Sequence, residues 1–223
     1  YVVLSHAHYD HAGGLQAFQG AFPGGYTLLL NKDYFTHKYW HHIEEKYYEY
    51  VGTPFSQEYL MEQKIPTMLL TGEDYELMDE EGNPTGIHIM SKFSTLCDFE
   101  AVDATAVMRR REEYLPDTFD EEQVIAIPTE KGIVVITGCS HNGIVNICET
   151  VKARLGSNIY AVIGGTHLIV ADEERISKTI DYFRRENIQI AGVCHCTGEL
   201  GLAAFQEQCQ QFYAANTGTV TVL

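Results

Sequence analysis

Three histidines and an aspartate fall within one short stretch near the start of the chain, Ser5-His6-Ala7-His8-Tyr9-Asp10-His11-Ala12-Gly13-Gly14. Neutral imidazole nitrogen and carboxylate oxygen are standard ligands of borderline divalent metals, so these residue types together point to a metal centre. Their spacing adds information. His6 and His8, two apart in an extended segment, point to the same side and can pinch one ion. Asp10 and His11 follow where the chain turns toward a helix before Leu15, so they can reach a second ion beside the first. Gly13-Gly14 permits close backbone approach.

Three further histidines recur in similar settings: Gly138-Cys139-Ser140-His141, Gly164-Gly165-Thr166-His167-Leu168 and His195-Cys196-Thr197-Gly198. Each motif lies just beyond the carboxyl end of an expected strand, where open α/β sheets place ligands, and each precedes a helix whose N–H groups add partial positive charge. Singly, each reads equally well as a core histidine satisfied by a backbone bond. Repeated three times, the placement brings His141, His167 and His195 to one edge.

The elements that must position these residues follow from periodicity. Strands are expected at Tyr1–Leu4, Tyr26–Asn31, Gln123–Ile127, Gly132–Thr137, Asn158–Ile163, Gln189–Val193 and Thr217–Leu223. Thr129-Glu130-Lys131-Gly132 reads as a hairpin turn and makes its flanking strands antiparallel. Helices are expected near Leu15–Phe18 and at about 143–155, 172–186 and 199–213, which gives α/β layering. Residues 34–50, YFTHKYWHHIEEKYYEY, read as one aromatic-rich helix, and 52–100 lack strong periodicity. The expectation is a single domain over 1–223 with a lid insertion at about 32–100.

Composition limits the partners. The chain has 223 residues, 15 Lys+Arg against 31 Asp+Glu and a formal charge of −16, enough length for one sizeable core and too acidic for long nucleic acids. Nothing approaches the ~18 consecutive apolar residues of a membrane span, and no basic-then-apolar leader precedes the first strand, so a cytoplasmic location is expected. The six cysteines are too sparse for a secreted disulfide scaffold and read as reduced thiols. The start at Tyr1, without an initiator Met and directly in an apolar strand, leads us to expect that an N-terminal portion is missing and that the first sheet is incomplete.

The segment H-x-H-x-D-H after a strand resembles the metal-binding signature of the metallo-β-lactamase superfamily. The later GCSH, GGTHL and HCTG motifs are similar to a branch of dihydropterin-aminobenzene-phosphate synthase-like proteins. The resemblance implies an αββα sandwich, here without its N-terminal strands and with the aromatic-rich helical lid, and a two-metal site in loops at one end of the sheets. It implies His6, His8 and His141 on one metal and Asp10, His11 and His167 on the other, with His195 competing for the place of His167 or contacting a substrate phosphate. Zinc is the default, with iron and manganese as alternatives. The usual bridging carboxylate is replaced by Gly138-Cys139, where Cys139 either ligates as thiolate or is a buried small residue.

Such a centre holds about two positive charges after Asp10 and a bridging hydroxide are counted, which suits an anionic substrate. Bound water is lowered toward a pKa of ~7, and Asp10 orients or deprotonates it. Tyr9 and the aromatics of 34–50 either stack on a planar ring such as a pterin or belong to the core. Arg109-Arg110-Arg111 either contacts a phosphate or is a solvated surface, and Cys194-His195-Cys196 lacks a second cysteine pair for a structural zinc. The reading is a metal-dependent hydrolase of a small, phosphorylated, ring-containing compound, with synthase chemistry implied by the resemblance and homo-oligomerisation left open. The alternative is a metal-containing binding or regulatory protein of the same fold.

Overall fold

The computed structural model describes residues 1–222. In chain order the elements are β1 (Val2–Val3), α1 (Tyr9–Ala12), α2 (Leu15–Ala21), β2 (Leu28–Asn31), β3 (His37–His42), β4 (Tyr47–Tyr50), α3 (Gln57–Glu62), β5 (Thr67–Leu70), β6 (Asp74–Met78) and β7 (Pro84–Ser91). There follow β8 (Ala106–Arg110), β9 (Glu113–Pro116), β10 (Gln123–Thr129), β11 (Gly132–Ile136), α4 (Ile144–Leu155), β12 (Ile159–Gly165), α5 (Glu173–Arg185), β13 (Ile190–Cys194), α6 (Gly198–Gln208) and β14 (Gln211–Ala214). Contacts divide the chain into two compact units, one of Tyr1–Glu73 with Val102–Gln123, the other of Asp74–Ala101 with Val124 onward.

The first unit holds two sheets. A parallel one runs β1-β2-β5, with Val2 opposite Leu28 and Leu29 opposite Met68. Its middle strand, Leu28-Leu29-Leu30-Asn31, is buried throughout, as an apolar run covered on both faces should be. Leu15, Leu28, Leu30, Tyr34, Phe55 and Leu60 pack into its core. The second sheet is antiparallel, in the order β4-β3-β8-β9.

That sheet corrects the helix expected over 34–50. The segment is a hairpin, β3 and β4 joined across 43–46 with Lys46 at φ 58°, and no helical lid forms from these residues. Aromatic residues favour the pleated surface, where cross-strand pairs meet directly. His41 stacks on Tyr48 at 4.5 Å and His42 on Tyr47 at 4.3 Å between ring centroids. His37 and His41, at helical spacing in the sequence, therefore lie on one strand. The arginine run is likewise strand and turn: Arg109 and Arg110 end β8, Arg111 turns at φ 57°, and Arg109 pairs with Glu112 at 2.9 Å.

Strand β3 also buries a cation. Lys38 is 1% exposed, and its Nζ donates to Asp117 Oδ1 at 2.6 Å and Glu121 Oε2 at 2.8 Å. Burial acts to lower the Lys38 pKa, but the charges of Glu121 and Asp117 outweigh it and hold it above the ordinary range. Burial pushes Glu121 up to about 7, with Lys38 pulling it down and Asp117 adding to the rise.

The second unit is built on a seven-stranded sheet in the order β14-β13-β12-β11-β10-β7-β6. Strands β11 to β14 run parallel, and β10 and β11 form the antiparallel hairpin that the 129–132 turn requires. Helices α4, α5 and α6 supply Ile144, Ile147, Val151, Ile180, Phe183 and Phe205 to a core shared with Val135, Val162 and Val193. The last strand is β14, not the expected Thr217–Leu223. Gln211–Ala214 pair with Ile190–Val193, while Gly218 at φ 88° turns the β-branched tail; Leu223 lies outside the described residues. Accordingly α6 stops at Gln208, short of the expected 213.

The N-terminus of α4 shows how a loop of this unit is anchored. Gly143, at φ 92°, supplies no capping side chain, and a Cβ there would stand 2.2 Å from Glu100 Oε2. The buried Glu100 carboxylate takes the capping role, accepting from Val145 N–H at 3.0 Å and Asn146 N–H at 2.8 Å. Burial raises its pKa despite these bonds. Among the described residues no helix is long and apolar enough to cross a membrane.

Candidate metal centre

In the first unit the histidine motif leaves β1 extended and then enters α1. Gln123 straps the extended part, its N–H donating to Ser5 O at 2.7 Å and its Nε2 to Leu4 O at 3.0 Å. His6 is fully buried, its Nδ1 held 2.9 Å from Ser5 Oγ, an arrangement that turns the other ring nitrogen away from the serine. His8, 6% exposed, is the N-cap of α1, and its carbonyl accepts from the N–H groups of His11 and Ala12, both at 3.1 Å.

This turn gathers the imidazoles. The His6 ring lies 4.8 Å from that of His8 and 4.3 Å from that of His11. Asp10 is exposed at the first helical turn, with Oδ2 3.4 Å from His11 Nε2. Behind His8 stand Trp40 at 5.4 Å and Phe119 at 5.5 Å, the latter edge-to-face. Phe119 is fully buried in the left-handed region at φ 47°, with its N–H donated to Asp117 Oδ1 and its ring 4.8 Å from Lys38 Nζ. Ser5, Trp40, Phe119 and Gln123 are contributions that sequence reasoning missed, because these residue types carry no ligand signature.

In the second unit the three later motifs leave the carboxyl ends of adjacent parallel strands β11, β12 and β13. Each loop holds one non-glycine residue in the left-handed region: Ser140 at φ 66°, His167 at φ 51° and His195 at φ 54°. Backbone in that region is held against local preference by its surroundings. Ser140 Oγ and Thr137 Oγ1 both donate to Gly165 O, at 2.7 and 2.9 Å, and Gly165 N–H returns to Gly138 O at 3.0 Å. Thr166 and Thr197 are hydroxyl to hydroxyl at 3.0 Å. The three loops are thus tied to one another by buried polar bonds.

His141 and His167 come together, ring centroids 4.2 Å apart and both buried. His195 is exposed and joins a different group: a ring nitrogen of His195 and the sulfurs of Cys139 and Cys196 all lie within 4.8 Å of one another. Strand alternation would set His195 opposite its neighbouring cysteines. Instead β13 ends at Cys194, and the turn at His195 brings His195 and Cys196 into one cluster.

The donor chemistry fits a divalent metal. One unit concentrates three imidazoles and a carboxylate, and the other two buried imidazoles beside a cysteine–histidine cluster. Borderline ions favour such nitrogen-rich sets with oxygen or sulfur.

Similarity to known proteins agrees with this chemistry. A sequence profile of the Metallo-beta-lactamase superfamily matches residues 1–92. The 7,8-dihydropterin-6-methyl-4-(beta-D-ribofuranosyl)-aminobenzene-5'-phosphate synthase of Methanocaldococcus jannaschii is 28% identical over 226 residues, covering 93% of this chain and 69% of that protein. An uncharacterized protein of the same organism is 28% identical over 221 residues, covering 99% of this chain and 77% of its own length. A crystal structure of a metal-dependent hydrolase of the beta-lactamase superfamily superposes with a TM-score of 0.79 at 26% identity, covering 95% of this chain and 74% of that one. In fold, in opening motif and in sequence along nearly its whole length, the chain is similar to proteins of the metallo-β-lactamase superfamily.

Proposed function

We propose that the protein is a metal-dependent hydrolase of a small anionic compound, phosphorylated and ring-containing. The observation that carries this reading is the cluster of buried His6 and His8 with half-buried His11, Asp10 beside it, on a chain similar to metal-dependent hydrolases of the beta-lactamase superfamily. We assign His6, His8 and His141 to one ion and Asp10, His11 and His167 to a second, with His195 as the competing ligand. Zinc is the metal we expect. When bound, divalent ions supply Lewis acidity and a water acidified into the neutral range.

The chain's own residues do the rest. Ser5 holds the His6 ring through Nδ1, and α1 sets the positions of His8 and His11 by their shared backbone turn. The exposed Asp10 carboxylate receives a proton at Oδ2, where His11 Nε2 stands close enough to stabilise the charge. The net charge of −16 supports a small anion held locally rather than a polymeric one. The pterin and aminobenzene phosphate in the name of the archaeal relative supply the first ring systems to try, and a bond-forming synthase reaction is the variant of this reading that the similarity favours.

The test is turnover by the metal-loaded protein on phosphomonoesters, phosphodiesters, lactones and dihydropterin-plus-aminobenzene-phosphate pairs. Hydrolysis or condensation that stops on chelation and returns with zinc supports the proposal. Stoichiometric metal uptake with no turnover across the panel replaces it by a binding or regulatory role.

A further inference from the structure

We propose that Cys139, Cys196 and His195 form a sulfur-bearing cation subsite that takes a thiophilic divalent ion, zinc in the cell and cadmium or cobalt(II) as its stand-ins. The inference deepens the metal-centre reading, since His195 competes there for the second ion, and it adds two thiolates to a ligand set otherwise made of imidazole and carboxylate.

Geometry is its first support. The three ligand atoms lie within 4.8 Å of one another and come from the ends of two strands, β11 and β13. Ligands of a tetrahedral zinc with bonds of about 2.3 Å to sulfur and 2.0 Å to nitrogen stand roughly 3.5–3.8 Å apart, so no pair in the cluster needs to close by more than about 1.3 Å. Rotation about the cysteine and histidine χ1 angles covers that distance without moving backbone.

The surroundings are shaped for two sulfurs. A Cβ on Gly165 would stand 2.6 Å from Cys196 Sγ and 2.5 Å from Gly138 O, so only glycine leaves Cys196 this place next to the Cys139 loop. Ser140 and His195 both adopt left-handed backbone beside the cysteines, and the Ser140 hydroxyl pins the first loop to Gly165 O. Cys139 and Cys196 are 4% and 8% exposed, whereas His195 is exposed. Two ligands therefore wait inside and the third stands at the mouth, an arrangement that gives a cation an entry path and leaves a coordination position toward solvent.

Cys196 Sγ donates to Cys139 O at 3.3 Å. Binding of the ion releases that thiol proton and the one on Cys139 to solvent, two S–H bonds being replaced by two metal–sulfur bonds with no change of oxidation state. Thiolate ligands select zinc, cadmium and cobalt(II) over magnesium and calcium, which prefer oxygen. The identity of one ion would thus be set by sulfur and not by the histidine motif.

Cobalt(II) titration of the intact, reduced chain tests this by optical absorption. We expect visible ligand-field bands together with a near-ultraviolet sulfur-to-cobalt charge-transfer band, displaced by zinc and not by magnesium. In Cys139→Ser and in Cys196→Ser the charge-transfer band should fall to about half or less, while Cys209→Ser, a cysteine elsewhere in the unit, should keep it. Ligand-field bands without any sulfur band in the wild type overturn the subsite and leave the histidine centre standing. A sulfur band that survives in both serine variants also overturns it. Absence of any cobalt uptake by the folded wild-type chain overturns this inference and the metal-dependent hydrolase reading together. A wild-type spectrum without a sulfur band overturns the subsite even where a serine variant fails to fold, and Cys139→Ala and Cys196→Ala then stand in for the serine variants.

Discussion

Asp10 is the acidic member of the opening motif and the most exposed of its candidate metal ligands, which makes it the residue where chemistry and stability separate. Asp10→Asn removes a negative ligand and a proton acceptor at nearly constant volume, and the expected outcome is loss of one metal equivalent with a fall in turnover of ~10²-fold or more. Thermal unfolding of the metal-free proteins should be unchanged, because the side chain lies outside the hydrophobic core. Metal analysis, calorimetry and hydrolysis measured side by side check it; unchanged hydrolysis with the metal lost would falsify the two-metal assignment. Histidines and aspartate announced themselves in the sequence because their side chains state their chemistry. Ser5, which holds His6 Nδ1, and Phe119, packed edge-on to His8, did not, because serine and phenylalanine occur everywhere and only three-dimensional neighbourhood gives them a role. The cysteine cluster was hidden for another reason: Cys139 and Cys196 are 57 residues apart, and the left-handed turn at His195 breaks the strand alternation from which their directions are inferred.

At the level of elements, the α4 terminus shows a helix whose cap comes from a distant segment. Glu100→Ala leaves the N–H groups of Val145 and Asn146 without their carboxylate, and a loss of about 1–2 kcal/mol in urea unfolding is expected. Gly143→Ala should be more severe than Glu100→Ala, because the added Cβ overlaps the Glu100 carboxylate in a backbone conformation, φ 92°, that L residues rarely adopt. The parallel strands β11, β12 and β13 and helices α4 and α5 were legible to within a residue or two, since β-branched runs and helical periods alternate cleanly there. The β3–β4 hairpin was not. Its sequence places aromatic and charged residues at spacings that satisfy helical and strand periods alike, and the decision falls to pairings such as Tyr39 with Val107 and Lys38 with Met108, which no local window contains.

For the molecule as a whole, the buried Lys38 cluster links fold to solution conditions. Lys38→Met leaves the carboxylates of Asp117 and Glu121 buried without their cation, and a destabilisation of roughly 3–5 kcal/mol in denaturant titration is expected. Glu121 also gives stability a pH slope. Its pKa is raised in the folded chain to about 7, so the folded state holds the proton more tightly, and the stability this confers is complete below the unfolded value and lost as pH rises through about 7. Melting temperatures of wild type and Glu121→Gln across that window should converge at low pH and separate as pH rises, with the variant losing less; parallel curves would remove Glu121 as the source. The same cluster sets a timetable for synthesis. Lys38 waits for acids 79 and 83 residues further along the chain, which at ~5–20 residues per second is roughly 4–16 s on the ribosome. The first unit is closed only when its second segment, Val102–Gln123, has been made, and the 74–101 segment emerges in between before its own partners exist. A nascent chain therefore carries two half-built units at once, each with a solvated charge or an unpaired edge, and the order in which they complete is written into the interleaving of the polypeptide itself.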